Sequence, residues 1–135
     1  MRILLAAGVL AIVGLLPSAA PPAAAPLDGS TPILCALNSV MECARRGDCE
    51  RSNTDEAQIP PFVQINVPKK VLSSVDGTRT SPITTVNRTN GRLMIQGMQN
   101  ERVWGAVVNE ETGQMSATVS EADGAIVISG ACLAP

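Results

Sequence analysis

The sequence contains no histidine and no tyrosine, and its 135 residues include only one Phe and one Trp. Without histidine the chain cannot form a Ser-His or Cys-His nucleophile pair or an imidazole metal site. The scarcity of aromatic rings argues against a platform for stacking bases or sugars. The formal net charge is −2, and loss of Arg2 with a leader would make it −3, which argues against nucleic acid as a partner. We therefore expect a protein that is not an enzyme and that needs neither cofactor nor metal.

Two pairs of carboxylates are the remaining candidates for acid–base chemistry, namely Glu110 with Glu111 and Asp48 with Glu50. Both pairs fall in predicted turns, where a solvated surface is the ordinary explanation. The glycines are scattered over turns, and no glycine-rich phosphate-binding run follows a strand and opens a helix. A hydrolase that uses only carboxylates is therefore the least favoured interpretation.

The N-terminus has the composition of a secretory signal. Arg2 precedes a continuous apolar run over residues 3–16, and small residues follow it. We assign residues 1–25 to a signal peptide and an Ala/Pro spacer, and residues 26–135 to a single β-rich secreted domain. The apolar run is short for a membrane span, so we expect no stable membrane insertion after signal removal. The expected location is secreted or periplasmic.

Four cysteines follow this leader: Cys35, Cys43, Cys49 and Cys132. An even number of cysteines in an exported chain indicates disulfides, and their spacing does not match a zinc site. Of the three possible pairings we favour Cys43–Cys49 with Cys35–Cys132. In a hairpin with a three-residue loop over residues 45–47, Cys43 and Cys49 would lie opposite each other.

The sequence leaves open whether the first part of the domain is helix or strand. Thr31 followed by Pro32 is typical of a helix start, and four apolar residues then share one helical face: Leu34, Leu37, Met41 and Ala44. The same segment could instead pair as a strand with residues 49–51. A polar loop follows, with one helical turn predicted at residues 54–57.

From Phe62 onward the pattern predicts about seven strands. In the central hairpin, over residues 103–119, Trp104, Ala106 and Val108 alternate with the residues between them, and a Gly-ended loop follows. We therefore expect a mainly β fold, an antiparallel meander closing as a small barrel or sandwich, with an N-terminal disulfide-tied segment.

Asn90-Gly91 is the strongest short-range hairpin signal, because both residues accept the positive φ of a two-residue type I′ turn. This turn would pair Thr89 with Arg92, Val86 with Ile95, and Thr84 with Gly97. Val86, Leu93 and Ile95 would then share one face of the sheet.

Four side chains are candidates for binding. Trp104 could line a pocket, although a single Trp in a small β domain is more often its largest core residue. Arg79, Arg88 and Arg92 fall near two predicted hairpin tips and could form a basic rim for an anionic ligand. The ordinary alternative is edge-strand charge that prevents aggregation.

Several short motifs along the mature chain occur together, listed here in order: Cys35…Glu42-Cys43…Cys49, Pro61-Phe62-x-x-Ile65, Ser81-Pro82-Ile83, Gln96-Gly97, Trp104…Thr112-Gly113 and Gly130-x-Cys132. With the leader, they resemble a group of small secreted bacterial proteins with four cysteines and a β-rich domain. The resemblance implies a secreted or periplasmic address and brings no functional residue with it.

Two functions remain open. The first is a non-catalytic module that binds a small apolar ligand or a protein partner, and the second is a structural envelope protein without a discrete ligand. A cavity lined by Trp104, Val86, Leu93 and Ile95 would favour the first, and a filled interior would favour the second or a module that binds through its surface.

Overall fold

The structure is a computed structural model that describes residues 20–21 and 23–135. Most of the predicted signal peptide, residues 1–19 and 22, lies outside the described residues. The described elements are β1 (Ile33–Ala44), β2 (Cys49–Ser52), β3 (Phe62–Asn66), β4 (Val71–Ser74), β5 (Thr80–Thr89), β6 (Arg92–Gln99), β7 (Arg102–Asn109), β8 (Gln114–Glu121) and β9 (Gly124–Leu133). Within these residues, no helix is long and apolar enough to cross a membrane.

Eight of the strands close into an antiparallel barrel. Strands β3 to β9 form a meander in chain order, and β1 closes it by pairing with β9 on one side and β3 on the other. β2 is an additional strand that pairs with the C-terminal half of β1. The expected mainly β barrel is therefore confirmed, including the seven strands from Phe62 onward.

The core follows from the alternation of side chains along the strands. In β7, Trp104, Ala106 and Val108 are buried, whereas Val103 and Val107 between them are exposed on the outer surface. Strand period two places every second residue inside the barrel. The predicted central hairpin is therefore confirmed, and its loop ends at Gly113 with a φ of +72°.

The first part of the domain is a strand, and the helical alternative is wrong. The helical spacing of its apolar residues is overridden because β1 pairs along most of its length with β9, from Leu34 to Ala44. Cys43 lies opposite Cys49 across the predicted loop, where Gly47 has a φ of +89°, and the two are bonded. The second predicted disulfide, Cys35–Cys132, joins β1 to β9.

The Asn90-Gly91 turn also forms as predicted, with φ of +49° and +70°. Val86 lies opposite Ile95 as expected, but the predicted pairing of Thr84 with Gly97 is wrong. A bulge between Ile83 and Thr85 places Ile83 opposite Gly97. The extra residue reverses the alternation, so that Ile83 points into the core, where only 3% of it is exposed.

The two ends of the barrel differ. At one end, here called the sealed end, the side chain of Leu27 packs against the core and the backbone of Gly29 packs closely against Val67 and Leu93. The other end, here called the mouth, contains the β4–β5 and β6–β7 turns, and Arg79 beside the β4–β5 turn contacts the segment over residues 53–61. That segment contains the predicted helical turn, in which the Ala57 amide donates to the Asn53 carbonyl at 3.0 Å.

Candidate functional site

A cavity of about 720 Å³ occupies the half of the barrel next to the mouth. Its inner walls are mainly aliphatic, with Ile65, Ile95, Ala106, Met115, Ala117 and Ile128 among the lining residues. Small inward side chains leave this space, because Ala106 and Ala117 lie directly opposite each other on β7 and β8. Towards the sealed end, Ile33, Leu93 and Val108 are almost fully buried and fill the interior.

Two of the four side chains expected to line such a cavity do so. Trp104 and Ile95 border it. Leu93 is only 1% exposed and packs in the filled half, near Gly29. Val86 is 38% exposed, because β4 pairs with β5 only from Thr80 to Pro82 and leaves Val86 uncovered on that side. The cavity therefore lies nearer the mouth than the predicted set of lining residues implied.

Trp104 belongs both to the core and to the cavity wall. It is 9% exposed, which confirms the predicted burial, and its indole Nε1–H donates to the Ser81 hydroxyl oxygen at 2.7 Å. A side chain at Gly97, the residue opposite, would overlap the indole ring and the Pro82 carbonyl oxygen. Gly97 therefore provides the space that the ring occupies. Sequence reasoning missed Ser81, because the bulge after Ile83 that sets which side chains of β5 point inward is not visible in the sequence.

Polar side chains surround the mouth. Arg79, Gln99, Asn100 and Arg102 border the cavity at this end. The Arg102 guanidinium forms an ion pair with Glu121 at 2.9 Å, and the Gln99 amide donates to the Thr80 carbonyl oxygen at 2.6 Å. The site therefore combines apolar walls with a polar opening, as small-molecule sites usually do.

Arg79 ties the β4–β5 turn to the segment over residues 53–61, because its guanidinium donates to the Gln58 carbonyl oxygen. No carboxylate of the described residues forms a salt bridge with Arg79. The nearby Asp76 is engaged within its own turn, where it accepts hydrogen bonds from the Ser74 hydroxyl at 2.5 Å and the Thr78 hydroxyl at 2.8 Å. These bonds, with one from the Thr78 amide, lower the pKa of Asp76 to about 2.

The three arginines proposed as a basic rim do not lie together. Arg79 is at the mouth, whereas Arg88 and Arg92 flank the Asn90-Gly91 turn at the opposite end of β5 and β6. Arg88 forms a bidentate ion pair with Glu110, with nitrogen–oxygen distances of 2.5 and 2.8 Å. Hydrogen bonding to Arg88 lowers the pKa of Glu110, so this carboxylate is held as a charged surface partner.

Comparison with known proteins identifies no relative of this chain. No family model matches the chain, and neither the curated proteins nor the solved structures contain a significant match. Among residues 20–21 and 23–135, no group of three His, Cys, Asp or Glu side chains is arranged to hold a metal ion.

Proposed function

We propose that the protein is a binding module that takes up a small apolar ligand inside the barrel. The observation that carries the proposal is the cavity of about 720 Å³. Core side chains close it towards the sealed end, and it reaches the surface at the mouth. Voids much larger than a water molecule are few in protein interiors, whereas ligand sites typically measure about 300–1,000 Å³. An eight-stranded barrel is also wide enough to hold one small ligand.

The lining indicates what kind of molecule would enter. Aliphatic side chains offer no hydrogen bonds, so transfer of apolar ligand surface from water to this cavity is the favourable step. The proposed address is the periplasm or the external medium. Two disulfides and no free cysteine among the described residues are compatible with an oxidising compartment, and the predicted leader supports export.

The test is a calorimetric titration of the mature protein with decanol, used below the concentration at which it aggregates. Ala117→Leu should reduce binding at least tenfold, because the larger side chain occupies the cavity where Ala117 now lines it. Ala131→Leu is the matched control, because Ala131 is an exposed residue of β9 that does not line the cavity. Both variants should fold, as judged by circular dichroism.

Equal decanol binding by the Ala117→Leu variant and the wild type would contradict the proposed site. Absence of decanol binding to the wild type would overturn the proposal and favour the alternative, a structural envelope protein without a discrete ligand.

A further inference from the structure

Two hydrogen-bond donors border the cavity near the mouth, and neither forms a salt bridge among the described residues. Among the described residues, the Arg79 guanidinium donates its hydrogen bond to a backbone carbonyl oxygen rather than to a carboxylate. Ser81 lies two residues after Arg79, near the start of β5, and both side chains border the same cavity. Arg102 and Glu121, which also lie at this end, form an ion pair with each other.

The hydroxyl of Ser81 has a proton available for a ligand. Ser81 is 6% exposed and borders the cavity, and its oxygen already accepts the indole N–H of Trp104. A hydroxyl group has one proton to donate, and no described protein group accepts it from Ser81. Ser74, the other buried serine, already donates to Asp76 and accepts from the Arg79 amide. Ser81 and Arg79 together therefore offer donors to an acceptor that lies between them.

Below these donors the side chains that line the cavity are mainly apolar. Ile65, Ile95 and Met115 lie deeper in the barrel, and Trp104 is the one aromatic residue that borders the cavity. Such walls suit a flexible aliphatic chain better than a flat ring that would need aromatic stacking partners.

Resting on the proposed function, we infer that the ligand is a monoanionic amphiphile, a short aliphatic chain with a terminal carboxylate. Its chain occupies the apolar half of the cavity. Its carboxylate lies at the mouth between the Arg79 guanidinium and the Ser81 hydroxyl, where a charge-assisted hydrogen bond to arginine forms. The Arg79 contact is exposed to solvent, so it contributes selectivity for the head group and only a moderate gain in affinity.

The experiment compares three probes with the same ten-carbon chain, titrated calorimetrically below their micelle-forming concentrations: decanoate, decanol and decyltrimethylammonium. The wild type should bind decanoate about tenfold more tightly than decanol, the size expected of one charge-assisted hydrogen bond. It should bind the ammonium probe least tightly. Arg79→Gln should abolish the preference, so that decanoate and decanol bind this variant with similar affinity. Ser81→Ala should weaken decanoate binding several-fold.

Arg92→Gln is the matched control, because Arg92 is an exposed arginine at the sealed end without a salt bridge among the described residues. This variant should retain the preference for decanoate. Equal affinity of the wild type for decanoate and decanol, or a preference that survives Arg79→Gln, would overturn the inference while leaving the apolar site intact. Binding of none of the three probes would instead overturn the proposed function itself.

Discussion

At the scale of single residues, Trp104 joins the stability of the barrel to the shape of its cavity. Its indole fills the space above Gly97 and donates to Ser81. We expect Trp104→Ala to lower the free energy of unfolding by about 3–5 kcal/mol, because it removes a large buried side chain next to an existing cavity. Denaturant unfolding monitored by far-ultraviolet circular dichroism measures this loss.

Val103→Ala is the control for this prediction, because Val103 is the preceding residue of β7 and is 55% exposed. It should change the stability by no more than about 0.5 kcal/mol. Similar small losses from both variants would show that the indole does not pack as described. The burial of Trp104 could be predicted from alternation alone. Its hydrogen bond could not, because the partner depends on the register between β5 and the distant β7.

At the scale of elements, the β5–β6 hairpin depends on a turn whose residues both have positive φ. A Cβ added at Gly91 would meet no atom within 4 Å, so a substitution there tests the backbone conformation without a steric clash. We expect Gly91→Val to cost about 1–2 kcal/mol, because a β-branched residue resists this conformation. The measurement is the free energy of unfolding, compared with that of Thr89→Val.

Thr89 is exposed and adjacent to the same turn, so Thr89→Val should change stability by less than about 0.5 kcal/mol. Losses of equal size in the two variants would contradict the type I′ turn. This hairpin could be predicted from sequence because the turn residues are local. The bulge after Ile83 could not, since burial of Ile83 inside the closed barrel selects it. For the same reason the residues of β1 alone do not distinguish strand from helix, because the strand's partner β9 lies at the far end of the chain.

At the scale of the whole molecule, the sequence pattern predicted the fold class and both disulfides. It did not distinguish a closed barrel from a sandwich, and it did not predict the cavity. Closure requires β1 to pair with β9 at the far end of the chain. The cavity requires the small residues Ala106 and Ala117 to face each other inside that closed barrel. The predicted basic rim does not form for a related reason, because β5 lies between Arg79, which precedes it at the mouth, and Arg88 near its other end.

Methionine methyl groups offer the most direct test of the claim that an apolar ligand occupies the barrel. Met115 is 6% exposed and lines the cavity, whereas Met41 and Met98 lie on the outer surface, 38% and 59% exposed. The measurement is a nuclear magnetic resonance titration of protein with ¹³C-labelled methionine methyl groups, using decanol. The account predicts that the Met115 methyl signal shifts saturably and shows cross-relaxation with decanol protons, while Met41 and Met98 stay unchanged. Shifts confined to Met41 and Met98, or a Met115 signal that decanol does not affect, would contradict it.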